Sequence, residues 1–248
     1  MADVKALPRS RLAISFLRLF TVQASWNYER LIGVGTGFAA EPLLRGLDSE
    51  RYRAALGRAS RYFNSHPYLS GAGAGALARA EVDGVPAEQV ERLRGALAGP
   101  LGSIGDRLVW AGWLPMLSAL ALTGVTWGRG LTAVAWFLVV YNLGHVALRW
   151  WALRAGWNYG PRVAAALQEP WMRRAGQYLG PATALALGLA LPMVAQWSGD
   201  AFRGWARITL AVAAAVAFGL LRWRPDILSG LRLGLVLVVI ALIAGILW

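Results

Sequence analysis

The sequence contains no cysteine, which excludes disulfides, iron–sulfur clusters and thiolate-bound metal while leaving the compartment open. Histidine is nearly as scarce, at two residues. A metal centre needs three or four converging ligands, and no HExxH-type spacing accompanies His66 and His145. Charge is thin: 15% of residues are Asp, Glu, Lys or Arg, against roughly 25% in soluble domains. Acidic groups are the scarcer sign, 13 against 25 basic residues, and Lys5 is the only lysine. No G-x-S-x-G surrounds Ser103, which has Gly102 before it and Ile104-Gly105 after it, so the nucleophile elbow of a serine hydrolase is missing. The alternation Gly71-Ala72-Gly73-Ala74-Gly75-Ala76 lacks a preceding strand and a Walker lysine, which favours close helix packing over phosphate binding. The first apolar stretch contains Arg18 and no small-residue cleavage site, so insertion is expected to depend on internal spans rather than a secretory leader.

What the chain has in excess is apolar surface. Of 248 residues, 57% are hydrophobic, 13 are tryptophan and 29 are glycine, with a mean hydropathy of +0.46. Tryptophan gathers at membrane interfaces and glycine is commoner in membrane helices than in soluble ones. The composition predicts an all-α integral membrane protein in one unit, residues 1–248. Residues 1–107 read as amphipathic and re-entrant helices, and residues 108–248 as the transmembrane part. Five short apolar segments follow, at about 108–125, 131–148, 179–197, 208–221 and 231–248. The 208–221 segment is the shortest, so it either re-enters or borrows its flanks. If all five cross, one side carries 22 of the 25 basic residues and the other only Arg129, Arg203 and Arg207. The positive-inside rule then places the N-terminus in the cytoplasm and Trp248 outside. The net charge of +12 comes with no nucleic-acid motif, and the arginines flank apolar runs, so membrane lipid rather than nucleic acid is the expected partner.

Residues 8–24 read as an amphipathic helix lying in the headgroup plane, with Arg11, Ser15 and Arg18 on one face and Leu12, Ile14, Phe16, Leu17, Leu19 and Phe20 on the other. Residues 45–63 are basic and helical, a solvated face beside anionic lipid. Asn64-Ser65-His66-Pro67 is a turn, since proline biases His66 toward extended backbone. Val90, Leu93 and Leu97 then line one side of an exposed amphipathic helix. That helix delivers the chain to Gly99-Pro100-Leu101-Gly102-Ser103-Ile104-Gly105-Asp106-Arg107. Three glycines and a proline there predict a broken or hinged backbone, with Gly99, Pro100, Gly102 and Gly105 as the joint and Ser103 capping it. Such a break at membrane depth must be buried in protein or line an aqueous cavity. Trp26-Asn27-Tyr28 and Trp157-Asn158-Tyr159 echo each other, either by coincidence or as a divergent repeat.

The chemistry-bearing residues that remain are Trp26, Asn27, Glu29, Asn64, His66 and Asp106. Amides and carboxylates beside aromatic faces suit a sugar, hydrogen bonds serving hydroxyls and rings stacking on C–H faces. The same residues could equally stitch re-entrant elements together. Glu29 and Asp106 also leave open a membrane enzyme acting on lipid or glycan. His145, in an apolar segment near Asn142, reads as an interhelical hydrogen bonder.

Three motifs in order then carry a resemblance covering residues from about 11 to 248. They are Gln23-Ala24-Ser25-Trp26-Asn27-Tyr28-Glu29-Arg30, then Arg61-Tyr62-Phe63-Asn64-Ser65-His66-Pro67-Tyr68-Leu69, and the glycine-rich 99–106 run. Tyr141-Asn142-Leu143 with Arg149-Trp150 matches a later helix. Together they resemble the enzyme IID component of mannose/fructose/sorbose-type sugar phosphotransferase systems. The resemblance implies a multi-pass subunit of the bacterial inner membrane, paired with a homologously folded IIC subunit, with three IIC–IID pairs to a complex. It implies passage of a hexose that a cytoplasmic IIB phosphorylates, with the relay histidines on IIA and IIB. No cofactor and no catalytic residue is then expected on this chain. Trp26, Asn27, Glu29, Asn64, His66 and Asp106 would lie near the IIC interface and the sugar path. A degenerate, regulatory permease subunit would share these motifs.

Overall fold

The computed structural model describes residues 8–197, and within them the chain is helical with two isolated β-bridges. The predicted spans at 208–221 and 231–248 lie outside the described residues. Helix α1 (Arg9–Arg18) runs on as one 3₁₀ turn to Thr21. It is followed by α2 (Gly33–Leu44), α3 (Ser49–Ala59) and α4 (Ser70–Val82).

Helix α1 packs with the face expected to be wet turned inward. Ser15 is fully buried and donates to the Ala39 carbonyl at 2.7 Å, and Arg18 meets Glu41 at 2.6 Å. Ile14, Leu17 and Phe20 are exposed instead, the arrangement of a helix whose outer surface is apolar. Asp48 caps α3 by accepting from the Arg51 amide at 2.9 Å, as an N-cap carboxylate should. Much of the basic 45–63 stretch is paired rather than free. Arg45 joins Glu41, Arg58 grips Glu81 through two bonds of 2.7 and 2.8 Å, and Arg61 reaches Glu91. Burial alone would raise the Glu41 carboxyl, but hydrogen bonds from Arg45, Tyr52 and Arg18 hold it down at about 2.

The glycine–alanine run becomes α4, the fully buried centre of the fold. A Cβ at Gly75 would strike the backbone of Leu153 and Trp157, and one at Gly156 would strike that of Ala72. The two backbones therefore touch only because both helices carry glycine there, as small-residue packing requires.

The expected break at 99–107 is not a break. Helix α5 spans Ala87–Gly105 with Pro100 inside it, and winding then loosens to a π-helix over Asp106–Trp113 before α6 (Leu114–Thr126). The result is one continuous 40-residue helix, Ala87–Thr126. Proline at 100 removes one donor, yet Gly105 sits where the helix needs room rather than freedom: a Cβ there would overlap the His66 side chain, while one at Gly99 would meet open space. The irregularity is absorbed as wider turns, a form common beside functional sites. Ser103 caps nothing; its hydroxyl leans back on the Pro100 carbonyl at 3.4 Å.

Helix α7 (Gly130–Tyr159) continues as a 3₁₀ stretch, Gly160–Gln168, after a turn in which Gly160 has φ +52°. Helix α8 (Pro170–Trp197) returns along α6. The apolar runs at 108–125 and 131–148 are thus parts of longer helices, and among the described residues two helical stretches, Ala87–Thr126 and Gly130–Gln168, are long and apolar enough to cross a membrane. The two Trp-Asn-Tyr triplets share no local structure, the first lying in a turn and the second at the end of α7.

Candidate functional site

The loop between α3 and α4 meets the end of α5 around a cavity of about 470 Å³. Tyr62, Asn64, Ser65, His66 and Pro67 line one side, and Ala98, Gly99, Gly102, Ser103 and Asp106 the other. Proline at 67 keeps the loop extended, while Gly105 lets α5 press against His66. Three of the six predicted residues, Asn64, His66 and Asp106, are brought together here, with Gly99 and Gly102 in the floor.

His66 is 2% exposed. Its Nδ1 accepts the Tyr68 amide at 3.2 Å, which assigns the ring proton to Nε2. That Nε2, and the Ser65 hydroxyl beside it in sequence, are buried without a hydrogen-bond partner. Burial, and secondarily the positive charge of Arg149, push the imidazole down to about 4. Both unpartnered atoms are closed off from solvent and cost about 1–3 kcal/mol each while unsatisfied. The groups a hydroxyl-bearing ligand or water in the cavity can reach directly are those of the exposed residues Asn64 and Asp106.

Trp26, Asn27 and Glu29 do not line this cavity. Asn27 builds a turn: its side-chain oxygen accepts the amides of Glu29 and Arg30 at 3.1 and 2.9 Å, and its backbone exchanges bonds with Leu31. Leu31 is held at φ +50°, a conformation uncommon for a non-glycine residue, and bridges to Phe63 beside the cavity loop. Trp26 and Tyr28 stack edge-on, 4.8 Å apart, on the exposed outer side of the turn, and Glu29 is exposed with them.

Behind the cavity lies a cluster that the sequence reading missed. Arg149 is 5% exposed and donates to the Leu19 and Pro67 carbonyls. Its guanidinium stands 4.5 Å from the Tyr68 ring centre and 5.3 Å from that of Phe20. Tyr68 and Tyr141 share a 2.6 Å hydroxyl bond, and Trp110 packs 5.2 Å from His66. Arg149 thus clamps the end of α1 and the His66–Pro67 loop onto α7, a task suited to a planar fork that also stacks. The motif pieces at 61–69, 141–143 and 149–150 contain Tyr68, Tyr141 and Arg149, but they gave no role, and the position of Arg149 at the end of an apolar run reads equally as a flanking charge. His145 bonds Asn142 on its own helix at 3.1 Å, not another helix as expected, because i and i+3 side chains share a face.

The family described as "PTS system mannose/fructose/sorbose family IID component" matches residues 6–197. The mannose-specific EIID component of Escherichia coli K12 is 28% identical over 164 residues, 63% of this chain and 58% of that protein. The sorbose-specific EIID component of Klebsiella pneumoniae is 28% identical over 66% of this chain and 62% of its own length. The fructose permease IID component of Bacillus subtilis is 23% identical over 80% and 73%. The chain thus spans about three-fifths of the length of the first two relatives. Among solved structures, one described as a membrane protein superposes with a TM-score of 0.66 at 22% identity, covering 74% of this chain and 70% of that one. The mannose transporter ManYZ in complex with microcin E492 gives 0.58 at 23%, over the same shares; both show the fold. The chain is a membrane protein and belongs to the mannose/fructose/sorbose IID family of the sugar phosphotransferase system.

Proposed function

We propose that this chain is the IID subunit of a phosphoenolpyruvate-dependent sugar permease in the bacterial inner membrane. It pairs with a IIC subunit, in a complex of three such pairs, to pass a hexose of the mannose/fructose/sorbose class inward. A separate IIB, charged by IIA, phosphorylates that hexose. The observation that carries the reading beyond family membership is the cavity at 62–67 and 98–106, lined by the exposed residues Asn64 and Asp106. Hydroxyl groups supply both donors and acceptors, which an amide and a carboxylate can both use. The exposed Trp26–Glu29 turn is the contact for IIC in this reading. The chain binds and orients; it carries no phosphoryl group, since neither histidine belongs to the relay.

The test is uptake of labelled mannose, fructose and sorbose in cells lacking their own permeases. Uptake is expected only when this chain is expressed with IIA, IIB and IIC of its class. A complex that assembles but carries no sugar would overturn the transport role in favour of a regulatory subunit. Turnover of lipid or glycan by the purified chain alone would point to the enzyme that Glu29 and Asp106 left open. That second reading gains nothing from the geometry, because Glu29 lies outside the cavity that Asp106 lines.

A further inference from the structure

A second hollow, of about 260 Å³, lies between the end of α7 and the residue preceding α8, lined by Trp150, Trp151, Arg154, Asn158, Tyr159 and Glu169. It combines one cation, one carboxylate and an aromatic wall. Arg154 is exposed, stands 5.8 Å from the Trp150 ring centre, and has no carboxylate within 4.0 Å among the described residues. Glu169 is fixed in place: Tyr159 donates to one oxygen at 3.0 Å and the Trp171 indole to the other at 2.8 Å. Each carboxylate oxygen keeps further acceptor capacity. Asn158 adds an exposed amide.

The surroundings identify the kind of molecule. Val139, Leu143 and Ala147 are exposed along α7 and lead at helical spacing to Trp150, Arg154 and Asn158. One helix face therefore passes from an apolar track to a polar, tryptophan-walled end, which is the profile of a bilayer from its interior to its headgroups. Residues 149–174 hold five arginines and Glu169 as their only acid. A pure anion site on that stretch would have no reason to include the one carboxylate.

We infer that this hollow binds a zwitterionic phospholipid of the ethanolamine type. Arg154 and the Asn158 amide take the phosphate, Glu169 and the Trp150/Trp151 wall take the ammonium, and an acyl chain lies along Val139–Leu143–Ala147. Arginine forks match phosphate oxygens, and ammonium groups are attracted both to carboxylates and to indole faces. The inference rests on α7 crossing the bilayer and is independent of sugar transport.

Native mass spectrometry of the purified full-length chain, titrated with phosphatidylethanolamine or phosphatidylglycerol, tests it without reading transport. Phosphatidylethanolamine should be retained more strongly. Arg154→Ala should weaken both lipids about tenfold or more, the scale of one charge-assisted hydrogen bond. Glu169→Gln should abolish the preference for phosphatidylethanolamine, lowering its retention while that of phosphatidylglycerol stays the same or rises. Wild-type retention in Arg154→Ala, or equal retention of both lipids by the wild type, would overturn the proposal. Should Arg154→Ala fail to fold, Glu169→Gln decides: equalised lipids support the site and an unchanged ratio refutes it. Complete displacement of the lipid by an equal concentration of free phosphoethanolamine would also refute it, since the acyl track would then contribute nothing.

Discussion

Gly99 and Gly105 occupy the same helix, α5, and replacing each with alanine separates a hinge from a packed contact. Alanine in a helix interior gains about 0.5–1 kcal/mol over glycine, and that gain is common to both positions. Nothing lies within 4 Å of a Cβ at Gly99, whereas at Gly105 it would overlap Cβ and Cγ of His66. Those atoms are near the His66 backbone and cannot swing aside, so overpacking should cost about 1–3 kcal/mol. The propensity gain cancels in the comparison, leaving Gly99→Ala more stable than Gly105→Ala by about 1–3 kcal/mol. For a chain of this size that is a separation of roughly 2–12 °C in midpoint. Tryptophan fluorescence during a thermal ramp in detergent reads it directly. If Gly99→Ala instead destabilises as much as Gly105→Ala, residues 99–105 do act as a joint and the continuous-helix account fails.

Other consequences follow from buried charge and titration. Arg149→Lys keeps the charge but cannot serve the Leu19 and Pro67 carbonyls while stacking on Tyr68; a loss of about 1–3 kcal/mol is expected in the same thermal assay, with an unchanged midpoint counting against the clamp. His66 titrates near 6.5 when unfolded and near 4 when folded, so its contribution is complete above pH 6.5 and is lost as pH falls through 4. His66→Gln should flatten the stability slope across that window. Glu41, held at about 2 against an ordinary 4.5, contributes fully above pH 4.5 and loses its effect as pH falls toward 2; Glu41→Gln should remove that lower-pH slope.

The sequence made the helical class, the close packing of 71–76 and the turn at Asn64–Pro67 legible, because small-residue spacing and pre-proline stereochemistry act locally. It misled at 99–107, where local glycine and proline preferences point to a break. Tertiary packing instead uses Gly105 to admit His66 and spreads the irregularity into the π turns after it. The two faces of α1 were legible, but which of them packs against the protein was not. Side-chain polarity cannot tell inside from outside once lipid is the solvent, and Ser15 turns inward because the Ala39 carbonyl waits there. Of the site, Asn64, His66 and Asp106 were readable as polar residues in apolar surroundings. Asn27 was readable only as polar, since its role depends on a turn closed by Leu31. Arg149 was hidden because its partners, Leu19 and Pro67, are 130 and 82 residues away.

The cavity's part in sugar passage is tested most directly by uptake in cells expressing the whole permease with Asn64→Ala or Asp106→Asn in this chain. Both residues line the cavity and are exposed, so the variants should insert and assemble at wild-type levels. Loss of one hydrogen-bonding group of this kind should lower uptake about tenfold. Wild-type uptake by both variants, at equal amounts in the membrane, would contradict the account.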